Sequence, residues 1–385
     1  MSCTKCVILI SLMLPIHHLF VAGVSCDSIS GSTTYGRVQS IEVPSFSLSG
    51  SLPSSIGNFG SITRMSLHDN KIVGSIPSTI SGLTSLRRLD LGRNSLTGAI
   101  PSTISGLTSL QRLDLGRNSL SGTIPSTISG LTLLQRLVLD NNILVGNIPS
   151  TISVLKSLNV LNLNSNSLVG TIPSRISRLT SLQSLYFNSN LLSGTIPSTI
   201  RTLTSLQSLY LDSNSLVGKI PSTISGLTSL QLLDINSNSL TGTIPSAMSA
   251  LTSLQYLSLS NNYLTMGVAT SVPLSTFSST TLSSNIDLDD NCLVFDTTSP
   301  YPYRHVTATH CRFTGKYEVC FHVLCAVKGN HRIPMEEVLT RLLSSAGAAP
   351  MNRTVKMHSM ESKTVTPICF RFQVNKCPFG DKYYR

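Results

Sequence analysis

Asparagine recurs at Asn70, Asn94, Asn118, Asn142, Asn166, Asn190, Asn214, Asn238 and Asn262, one every 24 residues with no insertion between them. A fixed period of this length marks a chain built from stacked supersecondary units, each too small to bury its own apolar side chains. The frame around each Asn is constant. In the third unit it reads Leu86, Leu89, Leu91, Asn94, Leu96, Gly98, Ile100, Pro101. An earlier, degenerate copy (Val38, Ile41, Val43, Leu48, Gly50, Leu52, Pro53) has Phe46 at the Asn position, so about ten units occupy residues 38–270.

Leu89 and Leu91 alternate with polar residues, the period-2 signature of a short strand with one buried face. One such strand per turn of a stack makes a parallel sheet. The Asn after each strand suits an internal ladder in which its amide satisfies backbone groups where the chain leaves the sheet. Gly98 permits a bend that a Cβ would oppose, and Pro101 pre-sets the next turn. Ser102 stands where it would cap a short helical turn, before Ile104 and Leu107 point inward again. Aromatics make up 5% of the chain and Trp is absent, so the core is assembled from many small aliphatic side chains.

The repeated LxxLxLxxNxLxGxIPxx pattern resembles the plant-specific class of leucine-rich repeat, found in receptor kinases, receptor-like proteins and polygalacturonase inhibitors. The resemblance implies an α/β repeat solenoid, a right-handed superhelix with a parallel sheet on its concave face. It also implies an extracellular, receptor-like recognition module for a protein, peptide or glycan ligand in signalling or defence. A secreted inhibitor of a cell-wall hydrolase such as polygalacturonase is the alternative. No GxGxxG, GxxxxGK[ST], HRD or DFG is present, so no kinase is expected, nor any other enzyme, and no cofactor.

The flanks match less well. Gly23-Val24-Ser25-Cys26-Asp27 with Gly36-Arg37-Val38 resembles the end of the plant N-terminal cap, but the upstream Cys pair and Trp residues of that cap are missing. Residues 26–37 are therefore read as a partial cap. Lys5, the apolar runs Val7 to Ile16 and Leu19 to Val24, and small residues at Gly23 and Ser25 resemble a secretory leader over 1–25; a single-span anchor is the competing reading. No other stretch is expected to span a membrane. Either the leader is cleaved, or Cys26 pairs with Cys3 or Cys6.

Asn291-Cys292-Leu293 to His310-Cys311 reads as a C-terminal cap, residues 271–312, closed by a Cys292–Cys311 disulfide. The remaining tail, 313–385, resembles no family. Tyr317 to Val327 reads as a strand and Met335 to Leu343 as a helix. Cys320, Cys325, Cys369 and Cys377 suit disulfides of an oxidising compartment, and one thiol of the odd set of nine is left over. The group His310, Cys311, Cys320, His322 and Cys325 fits no standard zinc spacing, so no metal is expected. Asn352 is the one N-x-[ST] glycosylation acceptor. The tail carries twelve basic residues against five acids, +7 of the chain's net +11. The basic stripe with interleaved aromatics that a nucleic-acid reader needs is missing.

Candidate binding residues are the polar positions flanking the strand leucines, which vary while the frame does not. Toward the N-terminus they are Arg88, Asp90, Arg93, Arg112, Asp114, Arg117 and Arg136. Toward the C-terminus they are Tyr186, Tyr210, Asp212, Asp234 and Tyr256 among Asn and Ser. The Arg series suits carboxylates, or else merely neutralises the interleaved Asp. Exposed Tyr beside small polar residues is a common recognition chemistry. A third idea comes from the Pro-Ser-Thr-Ile-Ser repeats, as at Ser102, Thr103 and Ser105 and at Ser126, Thr127 and Ser129. Such ranks of hydroxyls resemble ice-binding repeat proteins.

Overall fold

A computed structural model describes residues 24–26, 38–265, 286–287, 327–328 and 331–332. Most of the leader, partial N-terminal cap, C-terminal cap and tail lie outside the described residues. So do Cys292, Cys311, Asn352, the tail cysteines and the expected Met335 to Leu343 helix.

Ten repeat strands form the body of a twelve-stranded sheet. In chain order the strands are β1 (Val24–Cys26), β2 (Val38–Glu42), β3 (Arg64–Ser66), β4 (Arg88–Asp90), β5 (Arg112–Asp114) and β6 (Arg136–Val138). They continue with β7 (Val160–Asn162), β8 (Ser184–Tyr186), β9 (Ser208–Tyr210), β10 (Leu232–Asp234), β11 (Tyr256–Ser258) and β12 (Ile286–Asp287). From β2 onward all are parallel and follow chain order. Leu89 stands opposite Leu113 and Leu113 opposite Leu137, so the sequence period is also the ladder register. β1 runs antiparallel to β2, with Val24 opposite Ile41, and occupies the sheet edge. At three residues β1 is short, and a short edge strand offers little to template association with other chains.

The register follows from where the leucines go. Leu89, Leu91, Leu113 and Leu115 are fully buried in one continuous core running from Val38 to Leu264. Phe187, at a strand-leucine position, is the largest fully buried side chain among the described residues. Truncating any one of these leucines to Ala removes contacts with the units on both sides, at a cost of about 2–5 kcal/mol.

Each Asn ties its own unit to the preceding one. Asn94 Nδ2 donates to the carbonyls of Leu67 (3.0 Å) and Leu91 (3.0 Å), and its Oδ1 accepts the Ile72 N–H (3.0 Å). The same pattern holds as far as Asn262, which donates to Ile235 and Leu259 and accepts from Leu240. The first unit has no Asn of its own, and Asn70 Oδ1 takes both the Phe46 and Leu48 amides.

On leaving the main sheet the chain forms a second, outer strand such as Ser95–Ala99 or Ser119–Ser121. Gly98 bends that strand at φ +74°, where a side chain would be strained. The outer strands also pair in parallel, but residue i meets i+22: Gly98 faces Leu120 and Gly146 faces Leu168. The unit then closes with a five-residue 3-10 turn such as Ser102–Gly106.

The expected cap is corrected here. Pro101 occupies the N-cap with extended backbone, and no side chain caps the turn. Ser102 is the first residue inside it. The hydroxyl that acts is one position on: Thr103 Oγ1 donates to Ser78 O (2.7 Å) and Thr127 Oγ1 to Ser102 O (2.7 Å), each bridging to the previous unit.

Candidate functional site

Side chains alternate across a strand, so the residues flanking each buried leucine face away from the core in columns about 4.8 Å apart. The first column is Arg64, Arg88, Arg112 and Arg136, each directly opposite the next. Like charges so placed repel. Arg64 lies 3.6 Å from Glu42, and Arg88 donates to Asp90 at 3.0 Å. Among the described residues Arg112 and Arg136 make no ion pair.

The second column holds Asp90 opposite Asp114, then Val138 and Asn162. Asp114 accepts the Gly116 N–H (3.1 Å), and Asp90 accepts that of Gly92 (3.3 Å). Burial pushes the Asp114 carboxyl above its usual range. The Gly116 amide opposes that shift, the Asp90 and Asp140 carboxylates add to it, and Arg136 opposes it.

Glycines open the third column. A Cβ on Gly116 would come within 2.5 Å of Asp140 Oδ1, and one on Gly92 within 3.0 Å of Asp114 Oδ1. In the fourth column Asp69, Arg93, Arg117 and Asn141 all hold left-handed backbone, with Arg93 and Arg117 at φ 53°. Arg93 pairs with Asp69 at 3.4 Å. Asp69 also takes a 3.0 Å bond from His68, the largest cause holding its carboxyl below the ordinary range. The second to fourth columns, with Arg136 from the first, line an open trough of about 440 Å³ between His68 and Asn162. Self-neutralisation therefore accounts for Arg88 and Arg93. It does not account for Arg112, Arg117 and Arg136.

Beyond the trough the chemistry changes. Tyr186 is directly opposite Tyr210, and their rings stack with centroids 5.2 Å apart and planes at 23°. Asp234 follows Tyr210 in the same column. Tyr256 lies in the neighbouring column with Ser208 and Leu232, so the three tyrosines do not form one file. Burial raises the Tyr210 phenol pKa, and Tyr186, Asp234, Tyr256 and Asp212 add to that.

Beside the tyrosine pair, the candidate Asp212 falls in line with two asparagines. Asn164, Asn188 and Asp212 occupy equivalent positions in three successive units, and each has a buried Oδ1 with no hydrogen-bond partner. Burial raises the Asp212 pKa, against a bond from the Ser213 hydroxyl. Asp234 differs, because it accepts both the backbone N–H and the Nδ2 of Asn236. Among the described residues no group of His, Cys, Asp and Glu is placed to hold a metal ion, and no helix is long and apolar enough to cross a membrane.

Fold and ladder together define a leucine-rich-repeat solenoid of the plant type. Leucine-rich-repeat family profiles match residues 86–144, 156–216 and 204–264, and a further one matches 253–279. Among solved structures the chain is similar to the plant peptide hormone receptor RGFR1 in complex with RGF2, at 34% identity and a TM-score of 0.63, over 66% of this chain and 40% of that one. It is also similar to the ectodomain of the Arabidopsis receptor kinase HAESA in complex with an extended IDA peptide hormone, at 33% identity and TM-score 0.60, over 71% and 44%. The chain thus spans less than half of either receptor structure. A plant ice-binding protein matches at 26% identity and TM-score 0.61, over 77% of this chain and 98% of that one. A search of curated proteins returns no match.

Proposed function

We propose that this protein is an extracellular recognition module whose concave face seats a peptide or other polymer segment bearing carboxylates. One observation carries the reading: Arg112 and Arg136 face each other in the ladder and make no ion pair among the described residues, although Arg136 acts electrostatically on Asp114. A guanidinium fork matches a carboxylate bidentately, and neighbouring like charges are relieved when one is bound between them. The Tyr186–Tyr210 stack then offers a rigid apolar platform further along the same face. The receptor structures it resembles hold peptide hormones, which supports a peptide as the ligand and an extracellular or cell-surface location. Calorimetric titration with matched acidic and neutral peptides tests this. Acidic peptides should bind, and the double variant Arg112→Gln/Arg136→Gln should not bind them. Equal affinity of wild type and variant would sink the reading.

A second reading is ice binding. It is supported by the likeness to a plant ice-binding protein, which extends over nearly the whole of that chain. Ice-growth inhibition by the purified protein is its direct test, and absence of inhibition removes it.

A further inference from the structure

We infer that, if the protein meets ice, it does so with the outer sheet and not with the Pro-Ser-Thr-Ile-Ser rank; this inference rests on the second reading above. The two faces carry similar residue types, but their hydroxyls differ in what they do. On the 3-10 side the Thr103, Thr127, Thr151 and Thr223 hydroxyls donate to carbonyls of the preceding unit at 2.7–2.9 Å. Those protons serve the stack. On the outer sheet Thr97, Thr123, Thr171, Thr195 and Thr241 are exposed and their hydroxyls make no hydrogen bond among the described residues, whereas the Ser193 hydroxyl there donates to Gly170 O at 3.3 Å.

The outer side is also a lattice, made among the described residues of three sheets of four, two and three strands. Its ladder brings Ala99 beside Ser121, Asn147 beside Val169 and Lys219 beside Thr241, with isolated bridges joining Thr123 to Val145 and Thr171 to Ser193. Outward side chains therefore repeat at about 4.8 Å between strands and about 6.6 Å along them. Hydroxyls alternate with bare apolar groups: Val145, Val169 and Val217 are exposed, and Ile143 and Leu191 reach 56% and 57%.

Charge separates this face from the concave one. Its described outward positions include no carboxylate, and the cations are Lys71 and Lys219 alone. An ionic ligand or peptide terminus finds little to bind on such a surface. A partner that is itself uncharged and periodic does: methyl groups organise the water between them, and free hydroxyls at fixed spacing anchor it. A spacing repeated over successive units fits a crystal face better than it fits a single compact molecule.

The test compares full-length variants that add charge to one face at a time. Thr123→Glu/Thr171→Glu places carboxylates on the outer sheet. Ser126→Glu/Ser150→Glu places them on the 3-10 side, at side chains that cap nothing. Thermal melts confirm that each variant is folded, and ice-recrystallisation inhibition is the readout. The expected result is loss of inhibition in the outer-sheet variant and retention in the other. If wild type inhibits and the outer-sheet variant does so equally, this inference is overturned while ice binding stands. If wild type does not inhibit, the ice reading itself is lost. Should sedimentation show a wild-type dimer that Thr123→Glu/Thr171→Glu dissociates, the sheet is an interface between copies, and the inference is again overturned.

Discussion

Tyr186 and Tyr210 lie on adjacent strands with their rings stacked at 5.2 Å, and no position in the repeat frame requires an aromatic there. Such a pair contributes about 0.5–1.5 kcal/mol beyond its area. Tyr210→Ala should therefore lower stability only modestly. If the pair is a recognition platform, the same substitution should weaken the binding of a concave-face ligand by about 2 kcal/mol or more. Chemical unfolding and titration of one variant separate the two effects. A stability loss with unchanged affinity would make the stack purely structural.

The asparagine ladder should be far more sensitive. Asn166 Nδ2 donates to Leu139 and Leu163 carbonyls at 3.0 and 3.1 Å, and its Oδ1 accepts the Leu144 N–H at 3.1 Å. Asn166→Ala strands these groups inside the stack, at an expected cost of about 2–4 kcal/mol. Urea unfolding measures it, and amide exchange should show Leu144 deprotected first. A loss under about 1 kcal/mol would mean that water replaces the amide at little cost.

Arg117 holds a left-handed backbone at φ 53°, where Asn141 and Asn261 serve in other units. Non-glycine residues pay for this conformation, Asn least among them. Arg117→Asn should raise stability by about 0.5–1 kcal/mol. If Arg117 also holds ligand carboxylates, affinity should fall as the melting temperature rises. A variant improved in neither property contradicts the strain argument.

Asp212 carries a carboxyl raised mainly by burial. A raised carboxyl favours the folded state only while protonated. Its contribution is fully present below the unfolded value of 3.8 and is lost as pH rises through the folded pKa. Asn occupies the equivalent position at Asn164, Asn188 and Asn236. Asp212→Asn should therefore melt higher than wild type at neutral pH, with the gap closing on acidification toward pH 4. Parallel melts across that range test it, and a gap that widens on acidification would reverse the sign.

The architecture is legible from a few residues. The alternation of Leu89 and Leu91 and the 24-residue recurrence of Asn determine strand, sheet and register, because only that register buries every leucine. The tyrosines are a correction: grouped as one column from the sequence, they fall in two, because Tyr186 and Tyr210 follow their inward leucines whereas Tyr256 precedes Leu257. Gly92 and Gly116 stand where later units carry Asp, Asn or, at Ser260, Ser, and they line the trough. Partner choice was readable only in part. Thr103 bonds a carbonyl 25 residues away, a contact that leaves no local pattern, whereas the Asp114 bond to the Gly116 amide spans two residues and recurs at Asp90 and Asp234. The unpartnered acceptors of Asn164, Asn188 and Asp212 depend on the packing of successive turns, which no single repeat displays.

Every bond of the asparagine ladder ends in its own unit or the one before it, as Asn118 shows with Leu91, Leu115 and Leu96. A recombination event that removes or copies a 24-residue block therefore rejoins the chain onto an identical set of partners. The gene can change the reach of its product in steps of one strand spacing, about 4.8 Å, without evolving a new junction. Length is then an adjustable trait of the protein, free to be matched to whatever lies along its face.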